Sequence, residues 1–132
     1  LLEAIGRRLQ DRGIRLRYEQ SSDLLDRLRA TFQDDAAESF DDLMETYRRV
    51  PVLLLDDLGA EKGTEWAVER LTAILDERLR NGRPTIVATN KTLEGLRAGA
   101  YFRIASRIFD QHSGQCKVCV LTCGDYRTDG AS

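Results

Sequence analysis

The sequence has little that binds soft metals or forms cross-links: three cysteines, one histidine and one methionine in 132 residues. An odd number of cysteines without framework spacing argues against the disulfide scaffold of a small secreted domain and for a reducing cytoplasm. Long hydrophobic runs are absent as well. The longest apolar stretches fall far short of the ~18 residues that a membrane-spanning helix needs, and no charged-then-apolar leader opens the chain. Charge of one sign is not in excess: the net charge is -2 and the isoelectric point about 5.5. Overall charge therefore gives no ground for nucleic-acid binding, although a local basic patch stays open. What is present, 42% hydrophobic and 32% charged residues, fits one globular domain. The chain opens on Leu1-Leu2 and its one methionine is Met44, so a processed start or a piece of a longer chain is expected.

The rest is organised around Val52-Leu53-Leu54-Leu55-Asp56-Asp57-Leu58-Gly59. Four apolar residues without alternation read as a strand buried on both faces of a parallel sheet. Two carboxylates follow at once, and Gly59 lets the chain turn away. Open α/β sheets bind ligands at the carboxyl ends of their strands. A pair of hard oxygen ligands there suits Mg2+ travelling with a nucleotide phosphate. This is the Walker B pattern of the P-loop nucleotide hydrolases. A core strand ending in a solvated Asp-Asp turn is the plainer alternative.

Helix and strand patterns alternate around that octet. Leu1, Leu2, Ile5 and Leu9 share one face and predict the end of a helix over residues 1–10, terminated by Gly13. Residues 14–18 alternate strictly and predict a half-exposed edge strand. Ser21 and Ser22 are candidate N-caps for a helix carrying Leu24, Leu25, Leu28 and Phe32. Residues 33–39 read as a polar loop, and Phe40, Leu43, Met44 and Tyr47 as a short amphipathic helix. Thr64 can cap a long helix over 65–80 whose inward stripe is Ala67, Leu71, Ile74 and Leu75, widened by Val68 and Leu79. Asn81-Gly82 ends it. Residues 84–89 predict a second buried strand, ending in Asn90. A helical turn over 92–96, a helix over 101–110, a final apolar strand over 117–123 and a polar tail over 128–132 complete the chain. Strand, helix, strand, helix, strand with short joints gives an α/β fold, its mostly parallel sheet covered on both faces.

Asp56 is the candidate for holding Mg2+ through water, and Asp57 for polarising an attacking water. Glu61 is a further carboxylate able to take the second role. Asn90 follows a buried strand as Asp56 does. A neutral amide there can hold water or a phosphate oxygen without adding negative charge, and a turn-forming Asn is the alternative. Arg107 offers a rigid fork that can neutralise a transferred phosphoryl group, with a surface Arg paired to Asp110 or Glu94 as the alternative. His112, Cys116, Cys119 and Cys123 have C-x2-C-x3-C spacing, which is not a standard zinc pattern; small buried thiols are the ordinary reading. Arg7, Arg8, Arg12, Arg15 and Arg17 alternate with apolar residues and describe solvated faces, with a DNA contact open.

Taken together these residues resemble the bacterial helicase-loader ATPases, the DnaC/DnaI type of AAA+ protein. The match is carried by Leu53 through Glu61, by Glu65-Trp66-Ala67, by Ile74-Leu75 with Arg78, and by Arg83-Pro84-Thr85 followed by Ala88-Thr89-Asn90. It runs to about Arg127, so residues 1–127 are expected to be a partial AAA+ domain and 128–132 a tail. The resemblance implies a three-layer P-loop NTPase sandwich with ATP and Mg2+ as cofactors. It implies Asp56 and Asp57 as Walker B, Asn90 as sensor 1, and Ser106-Arg107 as the arginine-finger motif acting on a neighbour in an oligomer. Tyr126-Arg127 resembles a pair near the family's C-terminus, and the roles of Arg103 and Arg127 stay open.

One departure stands out. The family's Gly-x-x-x-x-Gly-Lys-Thr loop, expected just before a helix like 1–10, is nowhere in the 132 residues. The resemblance then implies a sheet without its first, Walker A strand, which in the family lies between the sensor-1 strand and the last strand. The expected function is ATP-dependent loading of the replicative helicase, with single-stranded DNA as a possible further partner, and with this chain alone inactive. A transposition-helper ATPase of the IstB type and a non-catalytic interaction module are the alternatives.

Overall fold

The computed structural model describes residues 1–60 and 63–107. Its elements are α1 (Leu2–Asp11), β1 (Leu16–Gln20), α2 (Ser21–Ala30), α3 (Phe40–Arg49), β2 (Val52–Asp56), α4 (Glu65–Arg80), β3 (Thr85–Val87), α5 (Leu93–Ala98) and α6 (Phe102–Arg107). The three described strands form a parallel sheet in the order β1-β2-β3. Tyr18 lies opposite Leu54 and Gln20 opposite Asp56, while Leu55 lies opposite Val87. Parallel neighbours need crossovers, and α2–α3 and α4 supply them.

The uninterrupted apolar run of β2 is buried on both faces, as its sequence predicts. Leu53 and Leu55 face a core built from Leu24, Leu25 and Leu28 of α2, Leu43, Met44 and Tyr47 of α3, and Leu71, Ile74 and Leu75 of α4. Val52 and Leu54 face the other way, onto Leu2 of α1. Each such buried Leu contributes about 1.5–3 kcal/mol of hydrophobic transfer, so β2 is the most heavily anchored strand of the three. Helices thus cover both sides of the sheet.

Glycine and threonine punctuate these elements as expected. Gly13 at φ 78 ends α1 in a Schellman arrangement: its N–H donates to Gln10 C=O at 2.9 Å and the Ile14 N–H donates to Leu9 C=O at 3.1 Å. That second bond ties Ile14 to the helix, which is why β1 starts at Leu16 and not at Ile14. Gly82 at φ 65 ends α4 in the same way. Thr64 caps α4, its Oγ1 accepting from the Ala67 N–H at 3.2 Å.

Three expectations need correction, and one burial was not foreseen. Neither Ser21 nor Ser22 caps α2: the N-cap is Gln20, without a side-chain bond, and Ser21 is the first helical residue with its hydroxyl turned elsewhere. Phe32 lies beyond the end of α2 and is 61% exposed, stacked on Phe40 and edge-on to Trp66. The second strand is neither long nor buried: β3 spans three residues, with Ile86 38% exposed, because β2 is its one strand partner among the described residues. Arg78, a charged residue in the inward stripe of α4, is completely buried, while Leu79 is half-buried.

Candidate functional site

Because β2 and β3 are parallel neighbours, their carboxyl ends leave the sheet on one rim. The chain beyond them stays knitted together. The Ala88 N–H donates to Leu55 C=O at 2.9 Å, the Leu58 N–H to Ala88 C=O at 3.0 Å, and Thr89 Oγ1 to Leu58 C=O at 2.6 Å. Asp56 and Asp57 therefore come out on the rim where Asn90, the residue after Thr89, also comes out. The tight turn at residues 12–15 feeds α1 directly into β1, so the first turn of α1 belongs to this rim too.

Both oxygens of the Asp56 carboxylate are engaged. Oδ1 accepts from the Asp57 N–H at 2.9 Å, and Oδ2 accepts from the Tyr18 hydroxyl at 2.6 Å. The bond to Asp56, followed by burial, pushes the Tyr18 phenol up from 10.0 to about 12. Asp57 occupies the left-handed region at φ 54, a conformation that side chains other than Asn and Asp rarely tolerate. Its carbonyl accepts from Ser21 Oγ at 3.0 Å and from the Ala60 N–H at 3.1 Å. Gly59 follows at φ 96, and the aliphatic stem of Lys91 lies so close over it that a Cβ there would be 2.7 Å from Lys91 Cε. The positive φ is what requires glycine at this turn, since the exposed Lys91 side chain can swing aside.

The donor set is one for a cation held largely through water and not for a protein cage. Among the described residues no three His, Cys, Asp or Glu side chains gather into a cage. Asp56 is half-buried, and each carboxylate oxygen keeps a lone pair after accepting its present bond. That suits Mg2+, which keeps several waters and takes its remaining ligands from phosphate oxygens. Two hollows, of about 520 and 590 Å³, lie instead along β1, and neither is lined by Asp56, Asp57 or Asn90. Their central acid, Glu19, is already satisfied by Arg27 at 3.4 Å, Arg17 at 3.7 Å and the Tyr47 hydroxyl at 3.1 Å.

Of the other candidates, Arg103 is exposed on α6 and Arg107 is that helix's last residue, its side chain outside the described residues. Glu61, His112, Cys116, Cys119, Cys123, Tyr126 and Arg127 also lie outside the described residues. The basic residues Arg7, Arg8, Arg12 and Arg15 are solvated. Sequence reasoning missed Tyr18, Ser21 and Thr89, which hold the rim together. The signal available for Tyr18 was its place on an alternating strand, on the same face as the next strand's carboxylate.

A central parallel strand running into two carboxylates, next to a parallel strand followed three residues later by an amide, with helices on both faces, is an α/β fold shared with the solved structures of DnaA and the DnaC helicase loader. Solved structures of that fold superpose well. AMPPCP-bound DnaA from Aquifex aeolicus matches with a TM-score of 0.70 at 23% identity, over 81% of this chain and 32% of DnaA. The DnaC helicase loader matches with a TM-score of 0.67 at 24% identity, over 86% of this chain and 65% of the loader. Replication initiator DnaA bound to AMPPCP and single-stranded DNA gives 0.71 at 24% identity, over 82% of this chain and 33% of that one. At these identities the likeness is one of fold. By sequence, the chain is 31% identical over 68 residues to the uncharacterized protein YqaM of Bacillus subtilis (strain 168), covering 46% of this chain and 22% of YqaM. No protein-family model matches. The chain spans less than two thirds of each of these proteins.

Proposed function

We propose that these residues form the Walker B and sensor-1 half of an ATP site in an AAA+ ATPase that loads the replicative helicase onto DNA. The observation that carries this reading is the parallel pairing of β2 with β3, which delivers Asp56, Asp57 and Asn90 to one rim. The AMPPCP in two of the similar DnaA structures supports a nucleotide as the ligand, and the DnaC loader supports helicase loading as the role.

In this reading Asp56 holds the hydrated Mg2+ that accompanies ATP, and Asp57 orients and polarises the attacking water. The backbone turns left-handed at Asp57, directly after the strand residue Asp56, and the two acids take different tasks. Asn90 steadies the water or a γ-phosphate oxygen without adding to the negative charge of the rim. Arg107, ending α6, reaches the nucleotide of a neighbouring protomer, which makes hydrolysis depend on self-association. Mg2+, when bound, supplies neutralisation of phosphate charge. The 132 residues hold no Gly-x-x-x-x-Gly-Lys-Ser/Thr sequence, so in this reading the backbone cradle for the phosphates comes from other residues. Residues 1–127 then act as part of one ATPase module. Helicase and single-stranded DNA are its partners.

Labelled ATP titrated into the purified chain should bind weakly or not at all. A fusion that places a strand and a Gly-x-x-x-x-Gly-Lys-Thr loop ahead of Leu2 should gain Mg2+-dependent ATP binding and slow hydrolysis. Asp57→Asn should then abolish hydrolysis and spare binding. Micromolar ATP affinity of the chain as it stands, or hydrolysis indifferent to Asp57→Asn, would overturn the assignment. Co-sedimentation of the ATP-competent fusion with the replicative helicase tests the partner.

A further inference from the structure

An aspartate at the end of a strand is free to spin about its terminal torsion unless something fixes it. Asp56 is fixed from two directions. The Asp57 N–H reaches Oδ1 from its own strand, and the Tyr18 hydroxyl reaches Oδ2 from the neighbouring strand. The register explains why a tyrosine does this. Tyr18 lies opposite Leu54, two residues before Asp56 on the same face, and a diagonal reach of this kind is open only to a long side chain. The donor is also neutral. An arginine or lysine in its place would hold the carboxylate equally well but would cancel the charge a cation needs. The next residues of the same segment secure the neighbouring acid, since Ser21 Oγ, at the β1–α2 junction, donates to the Asp57 carbonyl.

We infer that Tyr18 is a positioning residue for Asp56. Its phenol locks the carboxylate in one orientation, with the unused lone pairs facing the rim, so that a hydrated divalent cation meets a pre-oriented ligand. This rests on the reading of Asp56 as the cation ligand.

The test uses Mn2+ alone as the probe, read as paramagnetic broadening of backbone amides in the intact chain. Residue-resolved broadening separates the rim from acidic surface residues such as Asp34 and Asp41. In the wild type, the amides at residues 56–59 and 90 broaden with rising Mn2+, and Asp56→Asn removes that broadening. Tyr18→Phe, which deletes one oxygen from a half-buried ring, should raise the Mn2+ concentration needed for half-broadening about tenfold, the usual effect of losing an outer partner of a metal ligand. Tyr18→Met, of similar apolar bulk, should do the same. A merely structural hydroxyl would lower the melting temperature and leave the Mn2+ midpoint unmoved, and that result would overturn the proposal. So would tighter Mn2+ binding in Tyr18→Phe, which would mean that the phenol competes with the cation. Unchanged rim broadening in Asp56→Asn would instead defeat the assignment of Asp56 itself.

Discussion

The buried guanidinium of Arg78 donates to the Val50 carbonyl at 2.6 Å. The same side chain reaches Tyr47 C=O at 3.0 Å, Pro84 C=O at 2.7 Å and Thr85 Oγ1 at 2.8 Å, and it meets no carboxylate among the described residues. Burial, with Arg83 nearby, lowers its pKa to about 10, so it remains charged at neutral pH. One cation thus ties the segment entering β2 to the segment entering β3, at the end of the sheet opposite the carboxylates. The two strands that deliver Asp56 and Asn90 are thereby fixed against each other at the far end.

Removing that clamp strands several buried carbonyls at once. Each unsatisfied group costs about 1–3 kcal/mol, so Arg78→Met is expected to destabilise the fold by about 3 kcal/mol or more. Arg78→Lys should recover less than half, because a single ammonium lacks the fork that spans both strands. Urea unfolding followed by circular dichroism measures both. A loss below about 1 kcal/mol for Arg78→Met, the ordinary effect of one hydrogen bond, would show that the clamp is not what aligns the strands.

The left-handed Asp57 separates stability from function. A side chain with a Cβ in that region costs roughly 1–2 kcal/mol, which glycine avoids and which Asn and Asp tolerate best. Asp57→Gly and Asp57→Asn should therefore melt close to wild type, while Asp57→Ala should be about 1 kcal/mol less stable than Asp57→Gly. All three lose the carboxylate. Equal stability of the Ala and Gly variants would mean that the turn relaxes out of the left-handed region.

Two phenols link the fold to high pH. Tyr18 is raised to about 12 by its bond to Asp56 and by burial, and Tyr47 is raised further by burial and by Glu19. Between the ordinary value of 10.0 and the folded value of about 12, the unfolded chain releases these protons and the folded chain keeps them. Stability from both phenols is then fully present below pH 10; the Tyr18 share is lost as pH rises through about 12 and the Tyr47 share only at higher pH still. The urea midpoint should fall across that window, and Asp56→Asn should bring the Tyr18 part of the tyrosinate absorbance change down toward 10.0. A midpoint that rises over the same range would contradict the sign.

Much of this was legible in the sequence because it is local. The apolar run 52–55, the cap at Thr64 and the terminating glycines 13 and 82 act within a few residues of themselves, so their patterns survive without knowledge of the fold. The rim's supports are not local. Tyr18 and Asp56 are separated by 38 positions, Ser21 and Asp57 by 36, and Arg78 and Val50 by 28. Arg78 was especially hard to foresee, since a charged residue in a helix stripe normally marks the solvent face. Only the register of two crossovers turns it into a buried clamp. Ser21 misled for a related reason: a serine before an apolar run looks like a helix cap, yet its hydroxyl is used across the sheet.

The shortfall at β3 has a physical consequence of its own. Ile86 pairs with Leu54 on one side and is 38% exposed, and β3 has a single strand partner among the described residues. An apolar, β-branched strand whose outer edge no described strand covers is a template for pairing with another chain. The purified chain is therefore expected to self-associate and to melt over a broad range. Ile86→Lys, a charge placed on that edge, should shift it toward monomer by light scattering at equal concentration, with the melting temperature nearly unchanged because little packing is lost. If the wild type is instead a monomer with a sharp, cooperative melt, and Ile86→Lys destabilises it by more than about 1 kcal/mol, then Ile86 is a core residue and some other segment of the protein covers this edge.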